Sequence, residues 1–206
     1  MPKKMSALLI TAALSGVTLT GCASLGSQQR AASFADPASH FAPRIEKALD
    51  DRKFSQALTL AEELVAAQPD NAGNRVLLGR SYLANGRYLS ARTAFMDAMT
   101  LGNSDVRTIV SLALCETALG NGVAARALLS DHIEHLPAGD YGLAVAMAGD
   151  AQEGVRALLE AVRQPGATAR TRQNLAYALA LGGAWGQARL IAGQDLSAKD
   201  AERRIG

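Results

Sequence analysis

A distance of 34 residues recurs along this chain at several independent positions. It separates Ala57, Ala91 and Ala125, Gly86 and Gly120, Phe54 and Tyr88, and the series Pro69, Asn103 and Pro137. It returns later between Gly149 and Gly183 and between Leu158 and Ala192. A fixed period of this size marks a stack of one supersecondary unit, each copy too small to bury its apolar face without a neighbour. Nearly half of the 206 residues are apolar, yet only 4% are aromatic. β-Branched residues are sparse, and Ala, Leu, Arg and Gln are plentiful, a mixture that favours helices over strands. The length suits one core or one elongated array.

Within residues 72–105 the repeat is clearest. Leu78, Gly79, Tyr82, Gly86, Tyr88, Ala91, Phe95 and Ala98 follow one another at helical spacing, broken by a turn in "ANGRY". Gly79 and Ala91 are small where two helices would cross closely, and the larger residues would fill the seam. Gly86 would end the first helix in a left-handed conformation. The aromatic residues are assigned to packing. The pattern resembles the tetratricopeptide repeat, a pair of antiparallel helices, with one departure: Arg75 stands where that family has a large apolar residue.

The same frame gives further units at about 38–71, where Arg44 and Arg52 depart from the pattern, and at 106–139. Helical periodicity sets in after Pro43. A fourth unit reaches its turn at Gly149, 29 residues after Gly120, so its first helix must be short. A fifth covers about 169–202, and "SAKDAERRI" begins with Ser197 as a helix cap and would close the stack. The resemblance implies an all-α, tetratricopeptide-type helical-hairpin solenoid over residues 38–206, with about five helix pairs and a C-terminal capping helix, stacked as a right-handed superhelix.

The start of the chain has another character. "MPKK" is basic, "MSALLITAALSGVTL" is apolar but short for a membrane span, and "LTGC" follows directly. Leu19, Thr20, Gly21 and Cys22 resemble the bacterial lipobox. That resemblance implies a signal peptide at 1–21, cleavage before Cys22, lipidation of its sulfur, and a small, polar tether over 22–37. Ala23 and Ser24 replace the aspartate that retains lipoproteins in the inner membrane, which points to the outer membrane and its periplasmic face.

Formal charge narrows the partners. The net +2 comes from Lys3 and Lys4, since the other 19 basic residues match 19 acidic ones. No field for nucleic acid results. Gly79 and Gly86 are not followed by Lys-Ser or Lys-Thr and do not follow a strand, so no phosphate cradle is supported. Cys115, alone once Cys22 is lipidated, is expected in the core. His132 and His135, with Asp131 nearby, could share a helix face around a metal, or form a polar helix end favoured by the helix dipole. His40 falls in the tether region. No catalytic set emerges, and no enzyme activity, cofactor or metal is expected.

Binding fits this architecture better. In tetratricopeptide proteins the first helix of each pair lines a groove. Carried over, the resemblance implies Arg80 and Leu83, Arg107, Val110 and Leu114, and Asn174 and Tyr177 as candidate peptide contacts, with Glu46, Leu49, Val76, Thr117 and Gln173 beside them. Each of these side chains would serve equally as packing or as a solvated face. The full Lys and Asn set of the clamp that captures chaperone C-termini is lacking. The organisation is similar to the TadD-like lipoproteins of the tight-adherence (Flp) pilus system, which implies a role in assembling the secretin, with secretin or pilus components as protein partners. The last 35 or so residues also resemble tetratricopeptide parts of envelope proteins that continue into a peptidoglycan-binding SPOR domain, which leaves a cell-wall or division adapter as the alternative. A metal-dependent enzyme is the third class.

Overall fold

A computed structural model describes residues 36–197 together with residues 200 and 203. The signal peptide, Cys22 and the tether up to residue 35 lie outside the described residues, as does most of the C-terminal capping segment. The described residues are helical throughout, without a strand. No helix among them is long and apolar enough to cross a membrane.

Five antiparallel hairpins follow in order. The first pairs α1 (Pro37–Asp50) with α2 (Phe54–Ala67), and the second α3 (Ala72–Ala84) with α4 (Tyr88–Thr100). The third pairs α5 (Val106–Ala118) with α6 (Gly122–Asp131), and a short 3-10 turn, Ile133–His135, leads out of it. The last two are α7 (Ala138–Met147) with α8 (Ala151–Arg163), and α9 (Ala169–Leu181) with α10 (Trp185–Ala192). Each helix packs on the next, and α1, α3, α5, α7 and α9 also pack one upon another along one face. This is the expected helical-hairpin solenoid.

The same turn joins both helices of every hairpin. Its pivot has positive φ: Arg52 at 58°, Gly86 at 72°, Gly120 at 82°, Gly149 at 93° and Gly183 at 80°. In each case the next residue donates its N–H to a carbonyl five residues back, as Arg87 does to Tyr82 at 2.9 Å and Ala184 does to Leu179 at 2.8 Å. This bond satisfies a carbonyl that the helix end would leave without a partner. Four of the five pivots are glycine, which adopts the conformation without steric cost, and Arg52 adopts it against its side chain.

Counted from these pivots, the array has a strict internal frame. Seven residues before each pivot stand Ile45, Gly79, Ala113, Gly142 and Ala176, all buried. Five residues after each stand Ala57, Ala91, Ala125, Gly154 and Ala188, also buried. These two rows face each other where the helices of a hairpin cross. A methyl carbon added at Gly79 would lie 2.7 Å from the Phe95 ring, so the glycine makes room for that fully buried aromatic side chain. The fourth hairpin has glycine in both rows. A methyl carbon at Gly154 would meet the Gly142 carbonyl oxygen at 2.5 Å and the Ala146 nitrogen at 2.9 Å, so α7 and α8 touch backbone to backbone. The fixed 34-residue spacing passes over both glycines, because the residues missing from this unit are missing before the pivot. The helices that flank the gap are the short ones: α6 and α7 have 10 residues each, where α4 and α5 have 13.

Three local expectations change. Helix α1 begins at Pro37 rather than after Pro43, because Asp36 caps it by accepting from the Ala38 N–H at 3.2 Å and Pro37 fits the first helical position. Pro43 then lies inside α1 on an exposed face, and His40 belongs to α1, edge-on to Phe41, rather than to a tether. Tyr88, assigned to packing, is 40% exposed at the start of α4, whereas Phe95 is fully buried. Arg75 is accommodated by its polar partners: Nε donates to the Pro69 carbonyl at 3.0 Å and Nη1 to Asp97 on α4 at 3.0 Å. Near the C-terminus the Asp200 N–H donates to Ser197 Oγ at 3.2 Å, the expected cap.

Candidate functional site

The face built by the first helices carries the candidate contacts. Six residues before the five pivots stand Glu46, Arg80, Leu114, Leu143 and Tyr177, one from each hairpin in order. This row divides by chemistry. In the first two hairpins Arg80 donates from both terminal nitrogens to the two carboxylate oxygens of Glu46, the second bond being 2.8 Å. Donation from Arg80, helped by the nearby positive charges of Arg80 and Arg107, holds the Glu46 carboxyl below its ordinary range despite partial burial. The fork of Arg80 is thereby used within the array, linking α1 to α3.

From Leu114 onward the row is apolar. Leu143 and Met147 of α7 and Gln173, Asn174 and Tyr177 of α9 line one hollow of about 350 Å³. Met147 and Tyr177 are each 39% exposed there, an unusual state for large apolar side chains on a helix that packs on both sides. Met supplies an adaptable contact and Tyr a rigid one. Asn174, only 8% exposed, donates its amide to the Gly139 carbonyl at 3.3 Å and so ties α9 to the start of α7.

A second hollow, of about 380 Å³, lies next to the first and is lined by Val106, Arg107, Val110, Ser111, Asp140 and Arg170. Arg107 and Arg170 stand at equivalent places, 13 residues before Gly120 and Gly183. The equivalent residue of the fourth hairpin is Leu136, which precedes α7 altogether. The late start of α7 therefore opens the gap across which the two arginines share a hollow.

Of the sequence candidates, Arg107 and Val110 share this second hollow, and Asn174 and Tyr177 share the first. Arg80 is paired with Glu46. Leu83 is half-buried against the cluster of Ala91, Phe95, Leu112 and Cys115, and Leu114 is half-buried on α5. Reading by the 34-residue spacing passed over Leu143, Met147, Asp140 and Arg170, and the signal that finds Leu143 is its distance from Gly149, the same as that of Tyr177 from Gly183. The histidines do not share a helix: His132 caps α6 with Nδ1 3.0 Å from the Leu128 carbonyl oxygen, and His135 sits in the 3-10 turn. Among the described residues no three His, Cys, Asp or Glu side chains gather into a cluster that could hold a metal.

Known proteins share this arrangement of hairpins. The family model of the anaphase-promoting complex, cyclosome, subunit 3 matches residues 50–132, the end of α1 through α6. MamA, residues 41 to the end, from Desulfovibrio magneticus RS-1 superposes with a TM-score of 0.59 at 16% identity, over 82% of this chain and 96% of that one. YrrB, described as a TPR protein with an unusual peptide-binding site, gives a TM-score of 0.54 at 14% identity, over 80% and 88%. The chain has a tetratricopeptide-type fold. A further MamA crystal structure gives 0.57 at 16% identity, over 82% and 93%. No curated protein matches the chain in sequence.

Proposed function

We propose that this tetratricopeptide array is a protein-binding scaffold, anchored through a lipid on Cys22 to the periplasmic face of the outer membrane, that holds a peptide segment of an envelope partner against α5, α7 and α9. The observation that carries the binding reading is the pair of adjoining open hollows on the first-helix face, one apolar and one rimmed by arginines. Large apolar side chains left exposed beside unfilled charge are what a peptide groove needs, contact area together with a group that fixes register. That YrrB, of the same fold, is described by its peptide-binding site supports the choice of this class of ligand.

The anchor and the compartment rest on "LTGC" and on Ala23 and Ser24. The partner we assign is the secretin or another component of a tight-adherence pilus, from the similarity to TadD-like lipoproteins. Labelled palmitate should enter the wild-type chain and not Cys22→Ser. A detergent pull-down from the native envelope should recover secretin or pilus components with the wild type and lose them with Tyr177→Glu. Recovery of none, together with a division or envelope-integrity defect on deletion while pili stay normal, would replace the pilus reading with the cell-wall adapter suggested by the C-terminal stretch.

A further inference from the structure

We infer that the groove selects a peptide carrying a carboxylate side chain two or three residues from a bulky apolar one. The carboxylate seats between Arg107 and Arg170, and the apolar side chain seats against Leu143, Met147 and Tyr177. The inference rests on the groove-binding reading above and adds the chemistry of the ligand.

Charge supplies the first half. Of the three arginines named on this face, Arg80 has its fork filled by Glu46. Arg170 has Asp140 at 3.8 Å, with its own side chain 82% exposed, a pair that contributes little and is easily exchanged. No carboxylate among the described residues lies within ion-pair distance of Arg107. Two guanidinium groups and one carboxylate thus share the hollow, which leaves one positive charge for a ligand to neutralise, and Ser111 adds a hydroxyl. A carboxylate accepts from an arginine fork in a defined plane, so the site would orient its ligand as well as attract it.

Distance supplies the second half. Along α7, Leu143 and Met147 follow Asp140 by three and seven residues, about 5 to 10 Å at 1.5 Å per residue. An extended peptide advances about 3.3 Å per residue, so two or three of its residues span the interval. The chain's own segment "ASLGSQQRAASFA", residues 23–35, carries Arg30 and no acidic residue, so it lacks the group the hollow selects. A separate partner supplies it.

The test pans a phage-displayed random peptide library on the full-length chain, then measures a synthetic copy of the enriched peptide by fluorescence anisotropy. Enriched sequences should place Asp or Glu two or three residues from Leu, Ile, Met or Phe. Replacing that acid by its amide in the peptide, or combining Arg107→Ala with Arg170→Ala in the protein, should weaken binding by about tenfold. The loss should shrink at high salt. The change in the peptide leaves the protein untouched, so this arm is independent of folding. Peptides that depend on Tyr177 but carry no acid, or that bind the double arginine variant within twofold, overturn this inference and leave the groove reading standing. Failure to enrich any peptide whose binding Tyr177→Ala weakens overturns both.

Discussion

Substituting Gly154 by alanine tests whether the fourth hairpin depends on direct contact between helix backbones. The added methyl carbon would stand 2.5 Å from the Gly142 carbonyl oxygen and 2.6 Å from the Ala146 methyl carbon. Ordinary carbon–oxygen contact begins at about 3.3 Å, so α7 and α8 must part by several tenths of an ångström. Neither blocking group can rotate away, since one is backbone and the other a methyl on the facing helix. Parting opens the seam that buries Ala157 and Leu158, where a gap of about 0.5–1 Å forfeits a quarter to a half of each dispersion contact. Overpacking of this kind costs about 1–3 kcal/mol, and often the upper part when backbone is in the way. Alanine recovers about 1 kcal/mol of helix propensity. The expected net loss is about 1–2 kcal/mol, or about 2–8 °C in Tm for a chain of this size.

The control is Gly186→Ala in α10, where an added methyl carbon meets nothing within 4 Å and a gain of a few tenths to about 1 kcal/mol is expected. Both variants would be melted by far-UV circular dichroism and by fluorescence of Trp185, the one tryptophan of the chain, which reports on the neighbouring hairpin. Nearest-neighbour coupling in a repeat array should carry the loss from the fourth hairpin to the fifth. A Gly154→Ala protein as stable as Gly186→Ala would refute the close crossing.

Arg52→Gly should stabilise the chain by about 0.5–1 kcal/mol in urea unfolding, because it removes the left-handed strain at φ 58°, and equal or lower stability would contradict this. The Cys115 thiol, fully buried, is pushed up to about 11 mainly by that burial, with Glu116 adding to it. It should resist an aromatic disulfide reagent at mildly alkaline pH until denaturant is added, and rapid labelling of the native chain would show the burial to be wrong. Glu46 has a lowered carboxyl pKa chiefly through donation from Arg80, so its contribution to stability is present above the ordinary carboxylate pKa near 4.5 and is lost as pH falls through the lowered one. Arg80→Ala should move the Glu46 titration, followed by NMR, back up toward 4.5, and an unmoved titration would remove the pair.

Much of the fold was legible because the residues that set it recur for steric reasons. Gly86, Gly120, Gly149 and Gly183 stand out since few other residues tolerate their φ, and Ala57, Ala91 and Ala125 since nothing larger fits the crossing. Gly142 and Gly154 were hidden because a constant spacing was counted across a unit that had lost residues. The start of α1 was hidden too, since Pro43 reads as a helix breaker while its effect inside a helix is small when the carbonyl it leaves unpaired faces solvent.

The groove was less legible. The periodic pattern says which helix lines it but not which side chains are spent on one another. Arg80 and Glu46 are one repeat apart, a relation that local charge patterns at three or four residues do not reveal. Asp140, Leu143 and Arg170 come together only because α7 starts late, which depends on a deletion rather than on a motif.

The five hydrogen-bonded pivots have one further consequence. Chain length varies here only at the helix ends away from them, where α6 stops early and α7 starts late, while the spacing from pivot to groove residue is unchanged from Glu46 to Tyr177. The molecule therefore has one edge at which residues can be gained or lost without moving a contact and another at which a single insertion would rotate a whole helix out of register. Tags, linkers or grafted loops belong at the first edge, for instance between Gln164 and Ala167 in the connection from α8 to α9, where Gly166 has open space around it.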